Sequence, residues 1–588
     1  MDSWVRQAAE VEQMFEKTEE HLDPDKSESE TEDVVEIESV HETEKDAEEI
    51  DEDEKEREQV ADDQPAKKRA RHDHLHLKTD FIWSLDVPDE AKDRQSQTVY
   101  IPRPKGDALT VQTPFQTWNL LFSEEILNII LSYTNNEIVR VIQKMKDTKR
   151  HIDSYHKPTD LVELKSFIGL LYLAGMHKMN YSTRKALWSL NNIPLFRLTM
   201  AENRFTFLIT CLRFDDKNLR AERKTNDHFT HIREVWELFI ANCVKYYEPH
   251  SNCTIDKQLL AFRGKCPFKT YMPKSDKYGL KVILLNDSAT HYMYNAIPYV
   301  GAIDKDPTEA VPSYYIKKLT ELIFNTGRNI TCDNWFMSIP ICDILRKQYN
   351  LTMVGTIKKN KPKIPDLFKK GKKNAEPNVK FYYHDGKTLL SYNPKGKKNI
   401  LILSSLHKNG KIDEIIQKPE IVVFYNLTKE GTKSFNQKCH QYSTTRKTQR
   451  WPMCYFYAML DYASVNSFIL YTLCKDNPKL KRLDYIYDLC MALIKPSLQR
   501  RLMTPTLRAN LRIQIEEYVN NTKLFEEQDP LFFSELLVDN KMVKQKRCGY
   551  CPSNLDRKTF YKCLSCDRPM CREHVAKICC ECSTHLGQ

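Results

Sequence analysis

Two aspartates stand at the ends of short β-branched runs: Asp256, after Cys253-Thr254-Ile255, and Asp333, after Asn329-Ile330-Thr331-Cys332. Carboxylates at neighbouring strand ends offer hard oxygen ligands on a rigid scaffold, which suits a divalent cation. Two-metal displacement at phosphorus needs a further carboxylate for the second ion. An Asp after a strand is also a common turn residue, so spacing alone leaves both readings open. A second set of chemistry-bearing residues closes the chain, spaced Cys548-x2-Cys551-x11-Cys563-x2-Cys566-x4-Cys571-x2-His574-x4-Cys579-x2-Cys582. Soft ligands two residues apart present both to one ion, and Zn2+ takes four in tetrahedral geometry. The order accommodates two interleaved structural Zn2+ sites. We assign Cys548, Cys551, Cys571 and His574 to one, and Cys563, Cys566, Cys579 and Cys582 to the other; Cys580 and His585 are spare, and either can displace an assigned neighbour. So short a segment has little core, so metal binding should supply most of its folding free energy.

The rest of the chain must position these groups. Its 588 residues, 41% hydrophobic, allow several domains with sizeable cores. No apolar run approaches the ~20 residues of a membrane span, so no membrane partner is expected. The first residues lack a basic start followed by an apolar core, and no secretory signal is visible. The eighteen Cys therefore belong in a reducing compartment, where metal binding outweighs disulfides. Residues 1–63 hold 27 Asp or Glu against 6 Lys or Arg, a balance of −21; the chain as a whole is +9, which leaves +30 to residues 64–588. An acidic tail on a basic body points to a polyanionic partner.

Residues 1–100 read as an acidic tail too poor in apolar groups to fold. The tail contains a basic cluster over 67–71 (Lys67, Lys68, Arg69 and Arg71) that has the composition of a nuclear-import signal and places the protein in the nucleus. Helical signals fill 105–250. Ser123 caps an acidic first turn, and Asp160 with Glu163 forms a capping-box pattern ahead of an apolar face. Further helices are expected near 204–212 and 231–246. From Cys253 the texture becomes strand-like, with runs at 281–285, 292–299, 329–332, 351–357, 380–383, 400–404 and 420–425. Within this, 358–374 carries eight Lys and reads as a mobile basic loop. Its Lys358, Lys359, Lys369, Lys370, Lys372 and Lys373 are candidate contacts to a DNA backbone. Helices return at 455–472 and 483–494, 525–545 reads as a linker, and 546–588 is the cysteine-rich segment.

Several motifs in one order, Thr254-Ile255-Asp256-Lys257-Gln258-Leu259, Tyr278-Gly279-Leu280-Lys281, Asn329 to Phe336, Val354-Gly355-Thr356 and Arg450-Trp451-Pro452-Met453, resemble the piggyBac-type DNA transposases over about 114–582. The C-terminal Cys/His order is similar to that family's cross-brace zinc domain. The resemblance implies an α/β RNase H-like core with an insertion, flanked by an all-α dimerisation and DNA-binding domain drawn from both sides. The segments are then 251–358 and 420–443 for the core, 359–419 for the insertion, and 105–250 with 444–524 for the helical domain. It also implies a homodimer acting on double-stranded DNA, cutting and pasting at TTAA with three Asp holding two Mg2+, and a zinc domain that reads transposon ends.

Carried onto this chain, Asp256 resembles the first catalytic Asp and Asp333 the second. The third is expected in a Gly-Gly-Val-Asp-x-x-Asp-Gln pattern, on a helix after the presumed strand 420–425. Here that stretch is Glu430-Gly431-Thr432-Lys433-Ser434-Phe435-Asn436-Gln437, so Lys433 occupies the catalytic position and Asn436 the accessory one. The expectation is a transposase-derived DNA-binding protein that no longer cuts or joins DNA, keeping at most one Mg2+ between Asp256 and Asp333. The alternatives are an active transposase in which a carboxylate such as Glu430 substitutes, and a zinc-domain scaffold for protein interactions.

Overall fold

The computed structural model describes residues 74–76, 82–87, 99–223, 227–272, 277–301, 305–365, 368, 378–394, 399–520, 541–549, 551, 558–561 and 569. The chain divides into two compact units, residues 1–501 and 502–588. The strands of the first unit are β1 (His74–His76), β2 (Ile82–Ser84), β3 (Arg103–Pro104), β4 (Tyr247–Glu248), β5 (Asn252–Ala261), β6 (Thr270–Met272), β7 (Lys277–Asp287), β8 (Met293–Pro298), β9 (Asn329–Cys332), β10 (Thr352–Thr356), β11 (Asn378–His384), β12 (Lys387–Asn393) and β13 (Ile400–Ser404). β3 and β4 pair with each other. The other eleven form one sheet in the order β1-β2-β11-β12-β13-β10-β9-β5-β7-β6, with β8 also on β7. β9 runs parallel to both neighbours, β5 and β10, while the remaining pairs are antiparallel. In β7, Leu280 and Val282 through Leu285 are all fully buried, as a strand covered on both faces requires.

The principal helices are α1 (Pro114–Leu121), α2 (Glu124–Asp147), α3 (Leu161–Met176), α4 (Glu202–Cys211), α5 (Arg233–Lys245), α6 (Val311–Thr320), α7 (Ile339–Tyr349), α8 (Glu420–Gln441), α9 (Trp451–Leu473) and α10 (Arg482–Leu502). α9 is buried around nearly its whole circumference, the signature of a helix at the centre of a bundle. Helices far ahead of it in sequence hold it: Trp118 Nε1 on α1 donates to the Tyr172 hydroxyl on α3 at 2.8 Å, and that hydroxyl donates to the Leu460 carbonyl on α9 at 2.7 Å. Ser123 caps α2 and Asp160 caps α3 as expected. The Glu163 carboxylate, expected to close the box on Asp160, takes Arg204 Nε at 2.9 Å and Nη2 at 2.6 Å.

The structure departs from the sequence reading in several places. The apolar run 420–425 is not a strand but the first turns of α8. Its buried residues Ile421, Phe424, Tyr425, Thr428, Thr432, Phe435 and Cys439 recur every three or four positions, a helical period that a six-residue window of Val, Ile and Phe cannot reveal. The stretch 378–404 within the expected insertion supplies β11, β12 and β13 to the same sheet. Residues before 100 do not all belong to an unfolded tail: β1 and β2 extend the sheet edge, where Trp83 is fully buried and its Nε1 donates to the Lys363 carbonyl at 2.9 Å. That bond, with buried Ile364 and Phe368, also ties down part of the expected mobile loop.

In the second unit, α11 (Ala509–Asn520) is followed by β14 (Lys541–Arg547), which pairs antiparallel with β15 (Lys558–Tyr561). Residues 541–545 of the expected linker thus lie in a strand, and 521–540 fall outside the described residues. No helix among the described residues is long and apolar enough to cross a membrane.

Candidate functional site

β5 and β9 lie side by side in parallel register, with Ile255 opposite Cys332. Asp256 is the next residue of β5 and Asp333 the first beyond β9, so the two carboxylates leave adjacent strands at one level. Asp333 Oδ1 accepts from the Trp335 amide at 3.1 Å, an Asx turn that ends the strand. Asp256 Oδ1 accepts from the amide of Lys257 at 2.7 Å. The Lys257 side chain then reaches Asp333: its Nζ lies 3.5 Å from Oδ2, and both side chains are about four-fifths buried, at 21% and 18% exposure. The same ammonium lies 4.7 Å from the centre of the Trp335 ring and 5.8 Å from that of Phe336.

α8 crosses the sheet beside this pair. Ile421, Val422, Phe424 and Tyr425 pack on Val354, Leu390, Ile400 and Ile402. One turn on, the Thr428 hydroxyl meets that of Thr331 at 2.7 Å, and its carbonyl accepts from the Thr254 hydroxyl. Thr254 precedes Asp256 by two residues on β5, so strand alternation puts both on the face that α8 covers, about 6.6 Å apart along the strand; Thr331 stands two residues before Asp333, which lies past the end of β9. Gly431 permits the close approach, since a Cβ there would lie 2.9 Å from Thr254 Oγ1 and 3.1 Å from the Asp287 carbonyl oxygen. Thr432 donates to Asn286 Oδ1 on β7 at 3.0 Å. Burial raises the Tyr425 hydroxyl pKa far above its usual value, and the charges of Asp333 and Asp256 add to that shift. Burial likewise pushes the Cys332 thiol well up, with Asp333 and Asp256 again contributing.

The residues expected to complete a metal centre sit on the same helix. Lys433 is exposed, at 56%, and its Nζ lies 3.7 Å from Glu430 Oε2 one turn back. Glu430 is mid-helix, ten residues after α8 begins. Asn436 is half-buried, and its Oδ1 meets no donor among the described residues. Nor, among the described residues, do three or more His, Cys, Asp or Glu side chains form a group able to hold an ion.

Residues 113–468 match the transposase family described as Transposase IS4. The chain is also similar to a solved piggyBac transposase in a synaptic complex with hairpin DNA, at 34% identity and a TM-score of 0.68, covering 82% of this chain and 100% of that one. The chain belongs to the piggyBac transposase family. The two strand-end aspartates stand on adjacent strands, one of them against the Lys257 ammonium, and Lys433 lies on the helix packed beside those strands.

Of the proposed zinc ligands, Cys548 follows directly on β14 and is buried, and Cys551 is half-buried; the Gly549 amide between them donates to the Pro569 carbonyl at 2.9 Å. Cys563, Cys566, Cys571, His574, Cys579 and Cys582 lie outside the described residues, as do Lys67, Lys68, Arg69, Arg71, Lys369, Lys370, Lys372 and Lys373. Lys358 and Lys359 are half-buried just after β10. Sequence reasoning missed Lys257 and Tyr425. Strand alternation sends Lys257 to the face opposite Asp256, which hid its reach to Asp333. Trp335 and Phe336, two and three residues after Asp333, were the available signal. Tyr425 was hidden by the mistaken strand.

Proposed function

We propose that this piggyBac-family chain is a transposase-derived protein that binds double-stranded DNA and no longer cuts or joins it. The observation that carries the reading is Lys433, at the position where the family resemblance places the third metal-binding carboxylate. An ammonium cannot coordinate Mg2+ and repels it. Two unit charges ~4 Å apart interact by about 1 kcal/mol in water and about 4 at an effective dielectric near 20, and a divalent ion feels twice that. Lys433 is more than half exposed, which places its effect toward the lower end. Each 1.36 kcal/mol lost from the transition state is about tenfold in rate. The substitute carboxylate considered from sequence, Glu430, is engaged with Lys433 itself.

DNA binding is supported by the +30 charge outside the acidic tail and by the DNA-bound state of the solved piggyBac relative. In this reading the sheet with α8 is an RNase H-like core, and the helices around α9 form a dimerisation and DNA-binding domain. The C-terminal cysteines hold two structural Zn2+, and the cluster at 67–71 directs the protein to the nucleus. The deciding test is a Mg2+- or Mn2+-dependent nicking and strand-transfer assay on candidate transposon ends. We expect wild type and an Asp256→Ala control to be equally inert. Cleavage by wild type that the control lacks would sink the reading. Lys433→Asp combined with Asn436→Asp is the companion variant, and cleavage gained by it over wild type would assign the loss to these two positions.

A further inference from the structure

We infer that Lys257 is a built-in counter-cation of the aspartate pair, and that its ammonium closes Asp333 to divalent metal from within the fold. The inference deepens the proposed loss of cutting and concerns the first ion position, which Lys433 does not address.

Both oxygens of Asp333 are engaged: Oδ1 takes the Trp335 amide, and Oδ2 lies 3.5 Å from Lys257 Nζ. A Mg2+ bound to Oδ2 would sit about 2.1 Å from it. It could then be no farther than about 5.6 Å from the ammonium, the sum of the two distances. Two positive centres that close compete for one carboxylate. The lysine holds the advantage of being tethered on the next residue of β5.

Its position is also supported on the far side. The ammonium lies within cation–π range of Trp335, at 4.7 Å, and near Phe336, at 5.8 Å, so the aromatic pair after Asp333 walls it in. At 21% exposure Lys257 is not a solvated surface chain, and withdrawing it would leave Asp333 without its partner. A second lysine reinforces the local positive potential. Lys281 on β7 places Nζ 5.9 Å from the same Trp335 ring, and its register, two residues from the Ile283 opposite Lys257, puts it on Lys257's face. Both ammonium groups thus lie on the side from which an ion would approach Asp333 Oδ2.

The test is Mn2+ affinity of the full-length chain, read by electron paramagnetic resonance of free Mn2+. Every variant is made in a Lys433→Ser background, so that the helix lysine does not mask the result. We expect Lys433→Ser alone to bind no more tightly than the same chain with Asp333→Asn. Adding Lys257→Met should tighten binding at least tenfold, and adding Asp333→Asn to that should abolish the gain. If Lys257→Met fails to fold by circular dichroism, Lys257→Gln replaces it with the same expectation. Full-affinity binding by Lys433→Ser alone overturns the inference, as does a folded Lys257 variant that gains nothing. Both outcomes are separate from the nicking assay: cleavage by wild type refutes the proposed function, whereas the Mn2+ titration judges Lys257 whichever way that assay falls.

Discussion

Replacing Gly431 by Ala tests whether α8 is held where the site requires it. On an isolated helix this change stabilises by about 1 kcal/mol, because glycine is the poorer helix former. Here the new methyl would lie 2.9 Å from Thr254 Oγ1, 3.1 Å from the Asp287 carbonyl oxygen and 3.1 Å from Ser288 Cα. Ordinary contact begins near 3.4 Å, so the helix must lift or the strands must give by a few tenths of an ångström. Thr254 cannot simply rotate away. Its hydroxyl is spent on the Thr428 carbonyl, and Thr428 in turn meets Thr331, all three being buried to within 2%. Overpacking of this kind costs about 1–3 kcal/mol, and a buried hydrogen bond lost in the adjustment about 1–3 more. Against the propensity gain of about 1 kcal/mol, the expected net is a loss of about 1–5 kcal/mol, or at least about 5-fold in local opening. The assay is hydrogen exchange of peptides from 420–441, with exposed Gln437→Ala as a control expected to stay within about 0.5 kcal/mol of wild type. Exchange in α8 that is unchanged or slower in Gly431→Ala would refute the close docking.

Four further outcomes are expected. Arg204, 5% exposed, makes a bidentate pair with Glu163 and also donates to the carbonyls of Tyr155, Lys157 and Pro158, so Arg204→Met should destabilise by about 3–5 kcal/mol in thermal unfolding. Burial raises the Glu163 carboxyl, but hydrogen bonds from Arg204 and Thr159 together with the Arg204 charge leave it below its ordinary 4.5. Its contribution is therefore present above pH 4.5 and lost as the pH falls through the lower folded value, and Glu163→Gln should remove that part of the acid destabilisation. DNA affinity should fall by orders of magnitude between about 50 and 200 mM salt if several phosphates are contacted, and deleting residues 1–63 should strengthen non-specific binding; fluorescence titration of duplex DNA measures both. Metal analysis should find two Zn2+ per chain, and a chelator should remove the structure of 541–588 as followed by hydrogen exchange; fewer than two Zn2+, or unchanged exchange, counts against the assignment.

How far the sequence could be read follows from the range of the signals. Strands such as 281–285, 329–332 and 400–404 were legible because β-branched runs bounded by turn residues have a local cause. The caps at Ser123 and Asp160 were legible for the same reason. The stretch 420–425 failed because its apolar residues satisfy a strand over six positions and a helix over twenty, and only the longer window separates them. Trp83 was misplaced with the tail because an apolar triplet, Phe81-Ile82-Trp83, gives no sign of the distant sheet edge that buries its tryptophan. Within the site, Asp256, Asp333 and Lys433 came from motif order, and the adjacent parallel strands bring the first two together. The Lys257 contact depends on how the chain turns after β9, which strand periodicity does not encode.

α8 carries two stripes that answer to different demands. The stripe through Phe424, Thr428, Gly431 and Phe435 is locked into the sheet, and almost any change there is penalised by the fold itself. Lys433, on the other side, stands in solvent with one partner a turn away, and a change of charge there disturbs no packing. The chemistry and the architecture of this helix are therefore separately mutable. Protein quality control, which removes chains that unfold, is blind to position 433. Under the proposed function, only selection for cutting can keep a carboxylate there, so a lineage in which that selection has lapsed can change the residue and still hand on an intact fold.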